Sequence, residues 1–245
     1  MNTWLDIVST LAQVAVGAIA AMIASRVRRY LTTRRPAVRI WGLQRGKPTH
    51  IVTAQDESNF ADEFTVKVYP TEYLAAVEVR SLVSDVLECH RVTLSTSREF
   101  GVAHFIHDNI VCIGGPVHNR ITKILLDRLQ LPFGFEGFTL VSTATGNRYD
   151  AVTESDPDRI LRDVGVVILA DNPFNNETRV AILMGARTFG CAAAAGYITE
   201  GNLRAADEKL GGPFPKWAIL DVDVVDDFVV RASVLESSTD AKPTP

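Results

Sequence analysis

Two glycine-containing junctions are the stretches of this sequence that could hold a ligand. GGPVHN at residues 114–119 and GARTFG at residues 185–190 each follow a short apolar run. Glycine lets the backbone approach a ligand closely, and a helix that begins there offers unpaired amide groups to an anion. The two junctions therefore predict a site for a small anionic or polar ligand. The expected ligand-binding residues are Gly114, Gly115, His118, Asn119, Arg120, Gly185, Arg187, Thr188 and Gly190.

Neither junction matches a complete phosphate-binding motif. Gly185 and Gly190 have the spacing of the first part of a phosphate-binding loop, but Cys191 and Ala192 stand where lysine and serine or threonine are required. The glycine-rich dinucleotide fingerprint is absent as well, so no cofactor is predicted. Glycines at strand ends are also common turn residues, and this structural explanation stays open.

Histidine and cysteine side chains provide two further candidates. His104 and His107 could share a helix face near Asp108, but no further metal ligand lies at an obvious spacing, so no metal site is predicted. Cys191 lies where a helix begins, which would favour a thiolate. A small buried cysteine among alanines is the alternative for Cys191.

Carboxylates offer no clear catalytic motif. Asp221 and Asp223 alternate with apolar residues, which indicates one solvated face of a strand as readily as an acid and base pair. Glu136 and Asp150 could serve in a hydrolase pocket, although no motif supports this. The catalytic residues are therefore unknown.

The segments around the junctions alternate between strand and helix. Continuous apolar runs that end in glycine are typical of strands buried on both faces of a parallel sheet. The sequence predicts an α/β fold with a mostly parallel sheet and antiparallel edge strands. The predicted strands are residues 37–43, 50–54, 91–96, 109–115, 138–143, 148–152, 163–171, 179–185, 216–225 and 228–237, and the predicted helices are residues 73–87, 119–129 and 191–199.

The N-terminal segment predicts one transmembrane helix. Residues 7–25 contain no charged residue and are about as long as a membrane span, which needs roughly 17 to 25 residues. The arginines that follow would stay in the cytoplasm, so the expected location is the inner membrane, with a single pass and the domain facing the cytoplasm. Ser9, Thr10 and Gln13 make the segment only moderately hydrophobic, so an interfacial or an oligomerising helix is the alternative. Gly17 and Ala21 give a small-x-x-x-small pattern that permits a homo-oligomer.

Charge and cysteine content bear on the protein's partners and on its compartment. The formal net charge is −4, and residues 1–35 contain one aspartate and five arginines, so the rest of the chain is more acidic still. An acidic domain argues against nucleic acid as the main partner. The three cysteines are scattered and form no C-x-x-C pair, which fits a reducing compartment.

The combination of GGPVHN, DNPFN and MGARTFGCAAAAG resembles uncharacterised bacterial Rossmann-like domains, some of which are attached to membrane segments. The resemblance covers residues 110–200 and implies a fold, but no activity and no catalytic residues. The expected organisation is a transmembrane anchor at residues 1–25, a basic juxtamembrane segment at 26–36, a cytosolic domain at 37–236 and a disordered tail at 237–245.

Three functions are consistent with these patterns. The first is a membrane-anchored sensor or effector that binds a small anionic or nucleotide-derived ligand. The second is a nucleoside or NAD hydrolase or transferase that uses the same cleft. The third is a membrane-tethered protein-interaction module without a small ligand.

Overall fold

An eight-stranded sheet forms the centre of the computed structural model, which describes residues 3–55, 69–101, 103–154, 159–199 and 203–239, with the backbone alone for residues 3–15. The spatial order of seven strands is β11-β10-β8-β9-β3-β1-β2, and β7 pairs with β8. The strands are β1 (Thr49–Thr53), β2 (Val92–Thr96), β3 (Asn109–Ile113), β7 (Val152–Thr153), β8 (Ile160–Asn172), β9 (Asn175–Gly185), β10 (Lys216–Val225) and β11 (Phe228–Ser237).

The sheet has a parallel part and an antiparallel part. Strands β2, β1, β3 and β9 run parallel, which confirms an α/β fold with a parallel core. Strands β9, β8, β10 and β11 pair antiparallel, so antiparallel pairing extends well beyond an edge. The cause is the short connection between β8 and β9, where Asn172 pairs with Asn175, because only antiparallel neighbours can be joined by a tight turn.

Both faces of the sheet are covered, because alternate residues of each strand point to opposite sides. On one face, Val111 and Ile113 belong to a core with α3 (Pro70–Ser81), α6 (Thr188–Tyr197) and α7 (Leu203–Lys209). On the other face, Ile110 and Cys112 belong to a core with α5 (Arg120–Leu126) and a small sheet. That sheet contains β4 (Phe133–Glu136), β5 (Thr139–Ser142) and β6 (Arg148–Tyr149). A five-residue π-helical turn, Leu82–Val86, follows α3, and α4 spans His104–His107.

The strand predicted at residues 37–43 is wrong. Helix α1 (Thr3–Arg29) continues through a π-helical turn, Tyr30–Arg34, into helix α2 (Arg35–Trp41). Pro36 lies at the start of α2, directly after the π-helical turn. The Trp41 side chain is 1% exposed and donates its indole N–H to the carbonyl oxygen of Ile198 at 3.0 Å.

The predicted membrane segment lies within α1. Within the ranges described above, no helix has both the length and the apolar character that a membrane span needs. At the other end, β11 extends to Ser237, so the predicted tail begins inside a strand. Residues 240–245 of that tail lie outside the described residues.

Candidate functional site

The two glycine junctions meet at the carboxyl ends of neighbouring parallel strands. Gly115 follows β3 and Gly185 ends β9, and a Cβ atom built on Gly115 would lie 3.4 Å from the carbonyl oxygen of Gly185. The first turn of α3 adds Glu72 at the same place. Between these segments lies a cavity of about 180 Å³, far larger than the space one buried water needs. Cavities at the carboxyl ends of parallel strands are where α/β folds usually bind ligands.

Glu72 supplies the cavity with a buried carboxyl group. The residue is 4% exposed, and its Oε1 atom accepts a hydrogen bond from the Cys191 thiol at 3.5 Å. Its Oε2 atom is buried and has no hydrogen-bond partner among the described residues. Burial raises the pKa of Glu72 to about 7, although the bond from Cys191 lowers it slightly. Near neutral pH this carboxyl group can therefore either donate or accept a proton.

Aromatic and basic side chains form part of the cavity wall. The Arg187 guanidinium lies 4.4 Å from the centre of the Phe138 ring, and the rings of His118 and Tyr69 are 5.6 Å apart. All four side chains line the cavity, together with Phe135. An arginine can bind an anionic group, and aromatic rings favour a flat apolar one. The wall thus suits a ligand with a ring and a negative charge.

The helix that follows the second junction is already capped by the protein. Asp163 is 1% exposed, and its carboxylate accepts backbone N–H hydrogen bonds from Val164 at 2.7 Å, Arg187 at 3.0 Å and Gly190 at 2.6 Å. Burial raises the pKa of Asp163, while these three donors lower it. A carboxylate at a helix N-terminus satisfies the amides that an anionic ligand would use. An anion in the cavity would therefore rely on side chains such as Arg187.

The glycines of the second junction permit close backbone packing. A Cβ atom on Gly190 would lie 2.1 Å from the carbonyl oxygen of Val164, and one on Gly185 would lie 2.7 Å from the backbone nitrogen of Cys191. Both distances are far shorter than a van der Waals contact, and the atoms met are backbone atoms that cannot turn aside. These two positions require glycine for packing alone.

Asn119 caps the helix that follows the first junction. Its Oδ1 atom accepts from the amides of Ile121 at 3.0 Å and Thr122 at 3.2 Å. Its Nδ2 atom donates to the carbonyl oxygens of Val52 and Ile113, both at 3.1 Å. An asparagine amide has two donor and two principal acceptor positions. All four hydrogen-bonding positions of the Asn119 side chain are therefore used within the protein.

The structure brings some of the predicted ligand-binding residues to the cavity and places others elsewhere. Arg120 donates its guanidinium to the carbonyl oxygens of Ser97 at 2.7 Å and Arg98 at 3.0 Å, away from the cavity. The predicted residues that line the cavity are Gly115, His118, Gly185, Arg187 and Thr188. Those outside its lining are Gly114, Asn119, Arg120 and Gly190.

Sequence reasoning missed Tyr69 and Glu72. The predicted helix begins at Tyr73, whereas α3 begins at Pro70, a residue favoured in the first turn of a helix. Beginning the helix there would have placed Glu72 at helical spacing from the buried Ala76 and Val79, on the face that points into the protein. A carboxylate on an otherwise apolar helix face is the signal that could have found this site.

The remaining sequence candidates have ordinary structural partners. Burial raises the pKa of the Cys191 thiol well above its usual value, and nearby Glu72 raises it further, so a thiolate is disfavoured. Asp221 and Asp223 both pair with Arg162. Two more carboxylates are also paired: Glu136 with Arg148 at 2.9 Å and Asp150 with the Thr139 hydroxyl.

The fold and the cavity together define an α/β domain with a partly apolar, carboxyl-bearing cavity at the ends of its parallel strands. No protein-family model and no curated protein sequence matches the chain.

Proposed function

We propose that the domain binds a small anionic or nucleotide-derived ligand in the cavity between the two junctions and acts as a sensor or effector. The observation that carries the proposal is the Oε2 atom of Glu72, which is buried beside the cavity without a hydrogen-bond partner among the described residues. Leaving a buried carboxyl oxygen unpaired costs free energy, and a ligand that hydrogen-bonds to it would recover that cost.

The chemistry of the wall selects the class of ligand. Ionised Glu72 accepts a hydrogen bond from an amino group, such as one on a nucleobase, and protonated Glu72 donates one to a carbonyl oxygen. Phe135 and Phe138 suit a flat ring, and Arg187 suits a phosphate or carboxylate. A nucleotide fragment has all three features: a ring, polar ring substituents and an anion.

A thermal-shift screen of the full chain tests this proposal. Nucleotides, cyclic nucleotides and phosphorylated metabolites are each added to wild type, Glu72→Gln and Arg187→Gln. A hit should raise the melting temperature of wild type and do so less in both variants. Arg204→Gln, on an exposed face of α7, is the matched control and should respond like wild type. A screen in which no compound stabilises wild type, or in which the Glu72 and Arg187 variants respond fully, contradicts the proposal.

A second candidate, a nucleoside or NAD hydrolase or transferase, is favoured by the raised pKa of Glu72. A carboxyl group with a pKa of about 7 can exchange a proton with a reacting group at neutral pH. Release of a free base from NAD or a nucleoside, measured by chromatography, should be present in wild type and lost in Glu72→Gln. Stabilisation by the same compounds without any base release would favour the sensor.

We also propose that α1 attaches the domain to a membrane. Its support is a row of exposed apolar side chains that includes Val16, Ile19, Ile23 and Val27, followed by a basic last turn. The full chain should float with vesicles that contain phosphatidylglycerol, and Ile19→Asp together with Ile23→Asp should abolish flotation. Resistance of the bound chain to alkaline carbonate distinguishes the predicted single pass from an interfacial helix. A wild-type chain that never floats contradicts attachment.

A further inference from the structure

Three potential metal ligands lie together at the amino ends of the parallel strands, opposite the cavity. His50 lies in β1 and His104 lies in α4. Asp108 is the residue just before β3. The Oδ2 atom of Asp108 is 2.9 Å from the Nε2 atom of His50 and 2.9 Å from the Nδ1 atom of His104. All three potential ligand atoms lie within 4.8 Å of one another. The sequence alone connected His104 with Asp108 but could not show that His50, from a distant segment, completes the group.

Burial and the hydrogen bonds between the two side chains set the protonation states of His50 and Asp108. Burial lowers the pKa of His50, although its hydrogen bond to Asp108 raises it. Burial would raise the pKa of Asp108, but bonds from His104 and His50 outweigh this effect and lower it. Neutral His50 and ionised Asp108 are the forms in which these side chains bind metal ions.

Thr93 allows His50 to change tautomer. In the observed arrangement, the Nδ1 atom of His50 is 2.7 Å from the Thr93 hydroxyl oxygen, and the hydroxyl O–H donates to Nδ1 when the ring proton lies on Nε2. If a metal ion took Nε2, the ring proton would move to Nδ1, and the hydroxyl group could rotate to accept it. Metal-bound histidines typically donate their second ring N–H to such a partner. His104 needs no partner of this kind, since its side chain is 43% exposed and reaches solvent.

We propose that His50, His104 and Asp108 bind a divalent transition metal ion, with zinc the best match. Two imidazoles and one carboxylate form a ligand set that zinc accepts, and water would complete its coordination on the exposed side of His104. Ligand atoms about 2.0 to 2.1 Å from zinc lie roughly 3.3 Å from one another, so small side-chain rotations convert the observed spacing into a metal site. His50 is 8% and Asp108 also 8% exposed, so two of the ligands are held in place by packing.

The aromatic surroundings limit how far the ligands can move. The Phe100 ring lies 5.6 Å from the His50 ring and 5.4 Å from the His104 ring, and the two imidazole rings are 4.1 Å apart. Packing of this kind holds both rings close to Asp108 before an ion arrives. An ion here would link β1, α4 and the start of β3, and its expected effect is stabilisation of that end of the sheet.

Metal uptake by the untagged full chain tests the proposal. Dialysis against ZnCl₂ and then against metal-free buffer, followed by elemental analysis, should leave one zinc ion per wild-type chain. Zinc should raise the melting temperature by roughly 5 °C or more once its concentration is about 100 times its dissociation constant. CoCl₂ should give a visible absorption band that zinc displaces.

Two single-histidine variants complete the experiment. His104→Ala changes a part-exposed side chain, so it should fold, yet weaken zinc binding at least about tenfold and remove the cobalt band. His107→Ala, in the same short helix but outside the group, should bind zinc like wild type. The proposal is overturned if wild type takes up no zinc, or if folded His104→Ala retains wild-type affinity.

Discussion

The Glu72 carboxyl group should make the stability of this protein depend on pH. The pKa of Glu72 rises from 4.5 to about 7 on folding. The folded chain therefore holds a proton that the unfolded chain has lost, and stability falls as pH rises from about 4.5 to 7. At about 1.4 kcal/mol per pH unit, the shift corresponds to roughly 3 kcal/mol, all of it lost above pH 7.

Glu72→Gln removes this dependence. Relative to wild type, the variant should gain up to roughly 3 kcal/mol in free energy of unfolding between pH 4.5 and 7.5, because glutamine cannot ionise. Urea unfolding at several pH values measures the difference, and other titrating groups cancel in the comparison. Glu208→Gln, which removes an exposed carboxylate, should run parallel to wild type. A pH-independent difference between wild type and Glu72→Gln would mean that Glu72 titrates normally.

At the scale of elements, Asp163 should hold the start of α6 in place. Its carboxylate accepts three backbone hydrogen bonds, and an amide group in its place would turn a donor towards one of those N–H groups. Hydrogen bonds to a charged group are worth about 1.5 to 3 kcal/mol each, so Asp163→Asn should lower the free energy of unfolding by at least about 2 kcal/mol. Chemical denaturation measures this, with the exposed Asp127→Asn as the control. Equal losses in the two variants would contradict the capping role.

Helix α2 should contribute to the folded core, since Trp41 is buried within it. Trp41→Ala removes a large side chain and its hydrogen bond to Ile198, which should cost about 3 to 5 kcal/mol. Val38→Ala, on the same helix but 37% exposed, should cost much less. The urea midpoints of the two variants measure these losses of stability. A small loss in Trp41→Ala would mean that α2 packs only loosely on the domain.

The same helix shows how far local sequence patterns could predict the fold. AVRIWGL contains branched apolar residues that favour a strand, but Gly42 at φ 59° is an ordinary signal of a helix ending. Ala37, Ile40 and Trp41 then share one buried face. Strand β3 and the second half of β9 were predictable because each contains a continuous apolar run, a signal that does not depend on distant partners. The candidate site was predictable only in part, since Glu72 and His50 acquire their roles from segments far away in sequence.

For the molecule as a whole, the parallel half of the sheet places its two candidate sites at opposite ends. The cavity lies beyond the carboxyl ends of β3 and β9. The three proposed metal ligands, His50, His104 and Asp108, lie at the amino ends of β1 and β3. Strands β1 and β3 have five residues each, and a strand rises about 3.3 Å per residue, so roughly 16 Å separates the sites. Residues so far apart that share no partner usually act independently.

Independence of the two sites has a measurable consequence for stability. The changes in free energy of unfolding caused by Glu72→Gln and His104→Ala should add in the double variant to within about 0.5 kcal/mol. Urea unfolding of wild type, both single variants and the double variant, in metal-free buffer, completes the cycle. A coupling energy above about 1 kcal/mol would mean that β1 and β3 transmit strain along their length. In that case a metal ion at His50 would also change ligand affinity in the cavity, since coupling between two binding sites is reciprocal.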